Sequence, residues 1–277
     1  MLRLQTQKSP GLTQVARKRK RRSSANCLLR KSKLVEGGFP LDEELVLLLL
    51  AVLARITAAF CATEKGKMSA RVAVVTGSNK GIGLAIVRAL CKQFSGDVYL
   101  TARDSERGKA AVTQLSEEGL KPLFHQLDIN DLESIQTLRD FLKEKYGGLD
   151  VLVNNAGIAF KVADTTPFAV QAEVTLRTNF FATRNACTEL LPLLKPNGRV
   201  VNVSSMVSVS ALSKCNQDLQ QKFRSDTITE EELVKLMEKF VEDTKKGVHE
   251  KEGWPSISSS NCAKLQCHGG ENQHTAD

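Results

Sequence analysis

From about residue 70 onwards, the chain alternates between two hydrophobic patterns. Short apolar runs rich in β-branched residues are typical of buried strands, and apolar residues spaced three or four apart are typical of helices that cover a sheet. The predicted strands are Val72–Val75, Asp97–Ala102, Pro122–Asp128, Leu149–Val153 and Gly198–Ser205. The predicted helices are Gly81–Phe94, Ser105–Gly119, Asp131–Tyr146 and Phe168–Leu194. This alternation predicts an α/β fold with a parallel sheet covered on both faces.

Gly77 follows the first predicted strand, and Gly81 and Gly83 lie where the first predicted helix begins. Glycine allows a sharp turn and a close approach to a ligand, and the backbone N–H groups at a helix N-terminus attract anions. We therefore predict a doubly wound, Rossmann-type sheet whose phosphate site consists of Gly77, Ser78, Asn79, Lys80, Gly81, Ile82 and Gly83. The alternative is that these glycines serve only an ordinary α/β turn.

The end of the second strand indicates which dinucleotide the fold binds. Arg103 follows this strand, about 20 residues beyond the glycines, where an acid selects NAD and an arginine selects the 2′-phosphate of NADP. Lys80 and Arg107 add positive charge nearby, and Asp128 at the end of the third strand can accept a hydrogen bond from adenine. NADPH is therefore the predicted cofactor. The alternative is that Arg103 is a solvated strand end.

Two later segments carry polar residues that need an explanation. Asn179 lies in a largely apolar helical segment, where it is either functional or a core amide with satisfied hydrogen bonds. The fifth strand ends in Ser204 and Ser205, and it delivers both hydroxyls to the edge of the sheet that carries the glycine turn.

Four motifs, in this order and spacing, resemble the short-chain dehydrogenase/reductase superfamily. They are Thr76–Gly83, Asn154–Gly157, Asn179 and Asn202–Ser205. The wider sequence, including residues 124–129, 178–184 and 240–246, resembles the monomeric NADPH-dependent carbonyl reductases over about residues 69–256. The resemblance implies hydride transfer from NADPH to a ketone, aldehyde or quinone carbonyl, while a tyrosine donates the proton.

The same resemblance implies roles for individual residues. Asn179 would hold a helix kink and a proton-relay water, and Ser205, rather than Ser204, would donate a hydrogen bond to the substrate carbonyl. The residues implied near the 2′-phosphate, the adenine or the nicotinamide ribose are Asn79, Lys80, Arg103, Arg107, Asp128, Ile129 and Asn155.

A long insertion follows Ser205. Thr229–Glu232 predicts a capping box, and the apolar stripe after it predicts a helix within an insertion of about residues 211–252. In the monomeric reductases this insertion covers the surface through which relatives oligomerise, which implies a monomer.

The superfamily's Tyr-x-x-x-Lys motif is missing after Gly253–Ser256, where the resemblance would place it. Ser259 and Ala263 stand in the expected positions, and the chain's two tyrosines, Tyr99 and Tyr146, fall in a strand and a helix. Two hypotheses stay open. The chain is a carbonyl reductase with impaired activity, or it is a catalytically inactive, truncated variant that at most binds NADPH.

The last strands of the superfamily fold are also missing. We therefore expect the fifth strand to be an open, valine-rich and aggregation-prone edge. Residues 257–277, rich in Ser, Asn, Gln and Gly, are expected to form a disordered tail beyond the predicted domain, residues 68–256.

The positive charge of the chain is concentrated near its N-terminus. The net charge is +8, but residues 1–40 carry eleven basic residues and one acid, so the remaining residues carry −2. The domain is therefore not expected to bind nucleic acid. Its predicted partner is a small-molecule carbonyl substrate.

Residues 1–67 are predicted to be disordered or helical, and three interpretations of them stay open. They are an organelle-targeting or nuclear segment, a marginal membrane anchor, or a leader without a selected role. The anchor is disfavoured because Arg55 lies within the apolar segment 45–62, where an arginine costs about 2.5–3.5 kcal/mol on insertion.

Seven cysteines, odd in number and without framework spacing, favour reduced thiols in the cytoplasm. Cys262, Cys267 and His268 lack the second ligand pair of a zinc site, so no metal site is predicted.

Overall fold

Strands and helices alternate in the structure as the hydrophobic patterns predict. The computed structural model describes residues 4–8, 70–161 and 163–255. The strands are β1 (Leu4–Lys8), β2 (Val72–Val75), β3 (Asp97–Ala102), β4 (Leu123–Gln126), β5 (Leu149–Asn154) and β6 (Leu194–Val203). The helices are α1 (Gly81–Gln93), α2 (Ser105–Glu117), α3 (Leu132–Tyr146), α4 (Phe168–Leu176), α5 (Thr183–Leu190), α6 (Met206–Ser213), α7 (Gln217–Arg224) and α8 (Glu230–Lys246).

The order of the strands shows a doubly wound sheet. The order is β1-β6-β5-β2-β3-β4, in which β2 to β6 are parallel and β1 is antiparallel to β6. The chain runs outwards from β2 to β4 and then returns to the other side of β2 with β5 and β6. The reversal between β2 and β5 creates a crevice at the carboxyl ends of the strands, where such folds bind ligands.

Both faces of the sheet are buried. Val75 and Leu100 belong to the cluster packed beneath α1 and α2, whereas Val74 and Leu152 belong to the cluster packed beneath α3 and α5. Because each face has its own helical layer, β2 is apolar without alternation, as its sequence shows. Each fully buried leucine contributes about 1.5–3 kcal/mol of hydrophobic stabilisation.

The structure corrects the prediction of an open sheet edge. Leu4–Lys8 forms β1, which pairs with Arg199–Val203 along the side of β6 that faces away from β5. These five residues are therefore a strand, where the sequence predicted disorder or helix. Hydrophobic periodicity carries no information on pairing between segments nearly two hundred residues apart, so the sequence pattern could not reveal it.

Other terminal predictions lie outside the described residues. They concern the rest of the leader, its apolar segment, the tail 257–277 and the cysteines near the C-terminus. Within residues 4–8, 70–161 and 163–255, no helix has the length and apolar character needed to cross a bilayer.

The segment before β6 differs from the predicted single helix. α4 passes into a π-helical turn at Arg177–Ala182, then into α5 and a 3₁₀ turn at Leu191–Leu193. β6 begins at Leu194, earlier than predicted, because Leu194 pairs with Leu149 across the sheet. The residues between this pair and Arg199 form an irregular excursion in which Asn197 is left-handed, with φ 65°.

The predicted insertion is helical and packs in one apolar cluster with α4. The predicted capping box at the start of α8 is confirmed, with Thr229 and Glu232 bonded reciprocally. After the C-terminal end of α8, Trp254 is buried and donates its indole N–H to Asp243 of α8 at 2.8 Å. Lys239 also binds this carboxylate at 2.8 Å. The Asp243 carboxylate therefore holds Trp254, just after the insertion, against α8.

Candidate functional site

The glycine turn between β2 and α1 has a backbone that requires glycine. Gly77 has φ 59°, and a Cβ atom built there would lie 2.7 Å from the Cα of Ala156. Gly81 has φ 58°, yet a Cβ atom there would meet nothing within 4 Å. Gly77 therefore allows β2 and β5 to converge, whereas Gly81 borders open space at the start of the helix.

The N-terminus of α1 is suited to an anion. Lys80, its N-cap, makes no side-chain capping bond, and the first turn contains no acid. By contrast, Asp104 caps α2 and Asp131 caps α3 through their carboxylates. Free N–H groups and the helix dipole at α1 are thus available to a phosphate, and the residues present fit the pyrophosphate of a dinucleotide.

Asn155 holds the glycine turn to the end of β5. Its side-chain amide donates to the carbonyls of Thr76 at 3.0 Å and Gly77 at 2.9 Å. Gly83 packs against this amide, since an added Cβ would lie 2.5 Å from its nitrogen. The third glycine of the motif is therefore needed for packing of α1 against the turn.

Ser78, predicted to contact the cofactor, is bonded within the protein. It is fully buried, and its hydroxyl donates to Val75 at 2.8 Å and accepts from the backbone N–H of Thr101 at 3.0 Å. Its own backbone N–H donates to the carbonyl of Thr101. Because these groups are all engaged, Ser78 fixes the turn to β3, and its contact with the cofactor stays a prediction.

Positive side chains lie at the carboxyl ends of β2 and β3, which are adjacent parallel strands. Lys80 and Arg103 are exposed, and Asn79 beside them is half-buried. Arg107 is 71% exposed and forms an ion pair with Asp104 at 3.4 Å, so part of its charge is compensated. Lys80 and Arg103 are therefore the stronger candidates for a 2′-phosphate.

Asp128 and Ile129 lie just beyond β4, which ends two residues earlier than predicted. The Asp128 carboxylate accepts from the backbone N–H of Asn130 at 2.9 Å and remains half-buried at the surface. The side chain of Ile129 is buried in the core with α3. Only the backbone of Ile129 is therefore placed to contact a nucleotide.

Asn179 lies within the π-helical turn. Its amide donates to the carbonyl of Ile158 at 2.9 Å and accepts from the N–H of the same residue at 2.8 Å. The side chain is 3% exposed, so it is a core amide with satisfied hydrogen bonds. The same contact fixes the loop after β5 beside the crevice, and the break in helical geometry agrees with the predicted kink.

Ser205 follows β6 and caps α6. Its Oγ accepts from the N–H of Val207 at 3.3 Å, a long bond that leaves the hydroxyl hydrogen free to be donated. β6 is fixed to β5 near this point because Asn154 donates to Asn202 at 2.9 Å. Asn154 also donates to the thiol of Cys187, whose pKa is raised by burial, so this cysteine is neutral.

Neither tyrosine lies at the candidate site. Tyr99 and Tyr146 share a hydrogen bond of 2.9 Å in the core, and Tyr146 also donates to Asp97 at the amino end of β3. Burial, with the hydrogen bond to Asp97, raises the pKa of Tyr146. Both hydroxyls are therefore structural groups at the end of the sheet opposite the glycine turn.

Sequence reasoning did not single out the side chain of Thr76. It is buried, and its Oγ1 accepts from the backbone N–H groups of Asn155 and Ala156, both at 3.0 Å. This hydroxyl joins the two loops that form the crevice. The available signal was a hydroxyl residue at the end of an apolar strand, directly before the first glycine.

The family model for short chain dehydrogenase matches residues 71–216. This range contains the glycine turn, Asn155, Asn179 and Ser205. The chain belongs to the short-chain dehydrogenases. Within this family, it is 75% identical over 190 residues to carbonyl reductase (NADPH) 1 from Macaca fascicularis, with 69% of each chain covered. It is 77% identical over 185 residues to the Homo sapiens protein of the same name, with 67% of each chain covered.

Solved structures agree with this family and fold. Menthone neomenthol reductase from Mentha piperita superposes with a TM-score of 0.62 at 30% identity, covering 72% of this chain and 82% of its own. Salutaridine reductase from Papaver somniferum also gives 0.62 at 30% identity, covering 70% of this chain and 78% of its own. No group of three or more metal-ligating side chains occurs among the residues that the structure describes.

Proposed function

We propose that this short-chain dehydrogenase binds NADPH and has the function of a carbonyl reductase with impaired turnover. The uncapped N-terminus of α1 after the left-handed glycine turn is the observation that carries the proposal. The relatives named as NADPH carbonyl reductases support the cofactor and the reaction class. A cofactor bound there supplies a hydride for a ketone, aldehyde or quinone carbonyl.

Two residues of this chain would serve the substrate side. Ser205 donates its free hydroxyl hydrogen to the carbonyl oxygen and thereby polarises the bond. Asn179 acts indirectly, since it holds Ile158 and the loop that borders the crevice. Asn155 braces the turn and keeps the phosphate-binding N–H groups in place.

The alternative is a protein that binds NADPH without turnover. It is favoured by the position of Tyr99 and Tyr146, which are buried at the opposite end of the sheet and bonded to each other. Proton donation by either would require that the core open. As a proton donor, Ser205 offers only a weakly acidic hydroxyl. Among the described residues, no lysine is hydrogen-bonded to it.

Titration of the full chain with NADPH, followed by nicotinamide fluorescence, tests the shared part of the two proposals. Saturable binding that is at least tenfold tighter for NADPH than for NADH is expected, and absence of binding would contradict both. Reduction of a quinone is then measured against a heat-inactivated control. Turnover supports the reductase, whereas binding without turnover supports the alternative.

A monomeric state and a cytoplasmic location belong to the same proposal. α8 packs over α4 in one apolar cluster, which covers the helix surface otherwise available to another subunit. Cys91, Cys187 and Cys215 are free thiols, as expected in a reducing compartment. Sedimentation of the purified chain tests the first point, and fractionation of cells tests the second.

A further inference from the structure

The edge of β6 is a surface that accepts an additional strand. Its regular part, Arg199–Val203, pairs with Val151–Asn154 of β5 on one side and with β1 on the other. Before Arg199, the chain departs from the sheet through Pro196 and the left-handed Asn197. The length of β6 that can be paired is therefore five residues, the length of β1.

β6 has the character of an interior strand. Val200 and Val201 point to opposite faces, and both are buried, at 7% and 3% exposure. No charged residue follows Arg199 before the strand ends. Natural edge strands are commonly protected by charges or prolines, and Val200–Val203 has neither, so its backbone favours a covering strand.

The opposite edge of the sheet shows the contrast. β4 has four residues, three of them half-buried and one exposed, and it ends with His125 and Gln126. Such a short, partly polar strand is suited to face water. The two edges therefore differ in polarity, and among the described residues a partner strand lies along β6 and none lies along the outer side of β4.

The direction of β1 suits a strand supplied by the same chain. Because β1 is antiparallel, Lys8 lies level with Arg199, and through β5 with Ala73 near the start of β2. Three strand spacings, about 14 Å, separate β1 from β2. The roughly 60 residues between Lys8 and Ala70 easily cover this distance.

We propose that Leu4–Lys8 is a built-in covering strand, which occupies the β6 edge of its own chain and keeps that edge from pairing with another molecule. The partner chemistry is that of an extended peptide held by backbone hydrogen bonds. This role gives the N-terminal segment a function in the reductase-like domain, and it does not depend on cofactor binding or turnover.

Proline substitutions in the full chain test the pairing. In an antiparallel edge strand, alternate N–H groups face the neighbouring strand, and proline is tolerated only where the N–H faces away. We compare Gln5→Pro, Thr6→Pro and Gln7→Pro with Gln14→Pro, which lies beyond β1. The readout is amide hydrogen exchange of Arg199–Val203.

The expected result has a period of two. If the N–H of Thr6 faces β6, Thr6→Pro increases exchange of the β6 amides that face β1 by about tenfold or more, and the other two substitutions do not. If the N–H groups of Gln5 and Gln7 face β6 instead, each of those two single substitutions has this effect and Thr6→Pro does not. The other substitutions, including Gln14→Pro, match the parent. Equal exchange in all variants, or equal increases at all three β1 positions, would overturn the proposal.

Sedimentation of the parent identifies the source of the strand. A monomer with β6 protection that is unchanged on dilution supports a strand from the same chain. A dimer whose β6 protection is lost on dilution would show that a second copy supplies the strand, and would overturn the intramolecular assignment. NADPH affinity serves as a separate control, because the glycine turn follows β2, three strands away from β1.

Discussion

The nucleotide-binding half of the molecule, β2 to β5, and the half that follows it, α4 to α6, hold their polar residues differently. In the first half, Thr76, Ser78 and Asn155 each bond to the backbone of a neighbouring strand or turn. In the second half, the hydroxyl of Ser205 has one partner among the described residues, through a long bond from the first turn of α6. Under the proposed function, cofactor recognition would be built into the sheet, whereas substrate chemistry would depend on its periphery.

The two halves also differ in how much apolar surface they expose near the candidate site. α6 exposes Val207 at 37% and Val209 at 41%, directly after Ser205. The glycine turn, by contrast, lies against buried residues of β3 and β5. We therefore expect that binding of the cofactor and reduction of a carbonyl are separable in this protein, and the following substitutions test that expectation.

Gly77→Ala is expected to have the largest effect. The left-handed backbone costs about 1–2 kcal/mol for a residue with a Cβ, and the collision with Ala156 adds about 1–3 kcal/mol. We therefore expect the free energy of unfolding, measured by urea denaturation, to fall by about 3 kcal/mol.

Gly81→Ala is the matched control, since Gly81 has nearly the same φ and no neighbour within 4 Å. It should lose only the strain of about 1 kcal/mol. Its added methyl group enters the space beside the helix N-terminus, so NADPH affinity should fall more than stability does. Equal stability losses in both variants would show that Ala156 yields, and that the convergence of β2 and β5 is not tight.

Asn179→Ala tests a strongly fixed polar group of the second half. It leaves the N–H and C=O of Ile158 without their partner, and each unsatisfied buried group costs about 1–3 kcal/mol. A loss of about 2 kcal/mol is expected in thermal unfolding monitored by circular dichroism. Ser205→Ala is the comparison, because it removes one capping bond worth about 1 kcal/mol or less. A larger loss for Ser205→Ala would break the contrast between the two residues.

Arg103→Ala tests the electrostatic part of cofactor recognition. Loss of one charge-assisted contact to a 2′-phosphate, worth about 1.4 kcal/mol, should weaken NADPH binding about tenfold and leave NADH binding unchanged. Lys109→Ala controls for net charge, since Lys109 is exposed and pairs with Glu106. Parallel losses for NADPH and NADH would contradict the assignment of Arg103.

Glu232→Ala has the smallest expected effect and depends on pH. Hydrogen bonds from the backbone N–H and hydroxyl of Thr229 lower the pKa of Glu232. The stabilisation is therefore present above the ordinary pKa of a glutamate and is lost as the pH falls through the lowered value. At pH 7 the variant should unfold roughly 1 °C earlier than the parent, and this difference should disappear in acid.

Glu231→Ala provides the control for that prediction. Glu231 shares the first turn of α8 but makes no part of the capping box. A pH profile for Glu231→Ala that matches the profile of Glu232→Ala would assign the effect to the helix dipole alone.

The sequence was sufficient wherever a local pattern determines the structure. The strand β3 and the capping box of α8 agree with the predictions. These features depend on neighbouring residues only, so turn chemistry and periodicity suffice to find them. The glycine turn was predictable for the same reason, because the glycine motif reflects a local backbone requirement. Gly77 and Gly81 both have positive φ.

The sequence was insufficient where a residue's role depends on distant partners. Ser78 fits a phosphate motif, yet its hydroxyl faces β3, which only the parallel pairing of β2 with β3 brings near. The early start of β6 requires Leu149 as its partner, and the coverage of β6 requires a strand from the other end of the chain. Non-local pairing of this kind leaves no trace in local periodicity.

The pairing of Leu4 with Val203 has a consequence for the order of events during synthesis. β1 leaves the ribosome first, but the strand it pairs with is made nearly two hundred residues later. Closing so long a loop is slow relative to forming the local βα units of β2 to β5. We therefore expect the half from β2 to β5 to form while Leu4–Lys8 is still unpaired, so that a strand made before the rest of the sheet is among the last to reach its place in the fold.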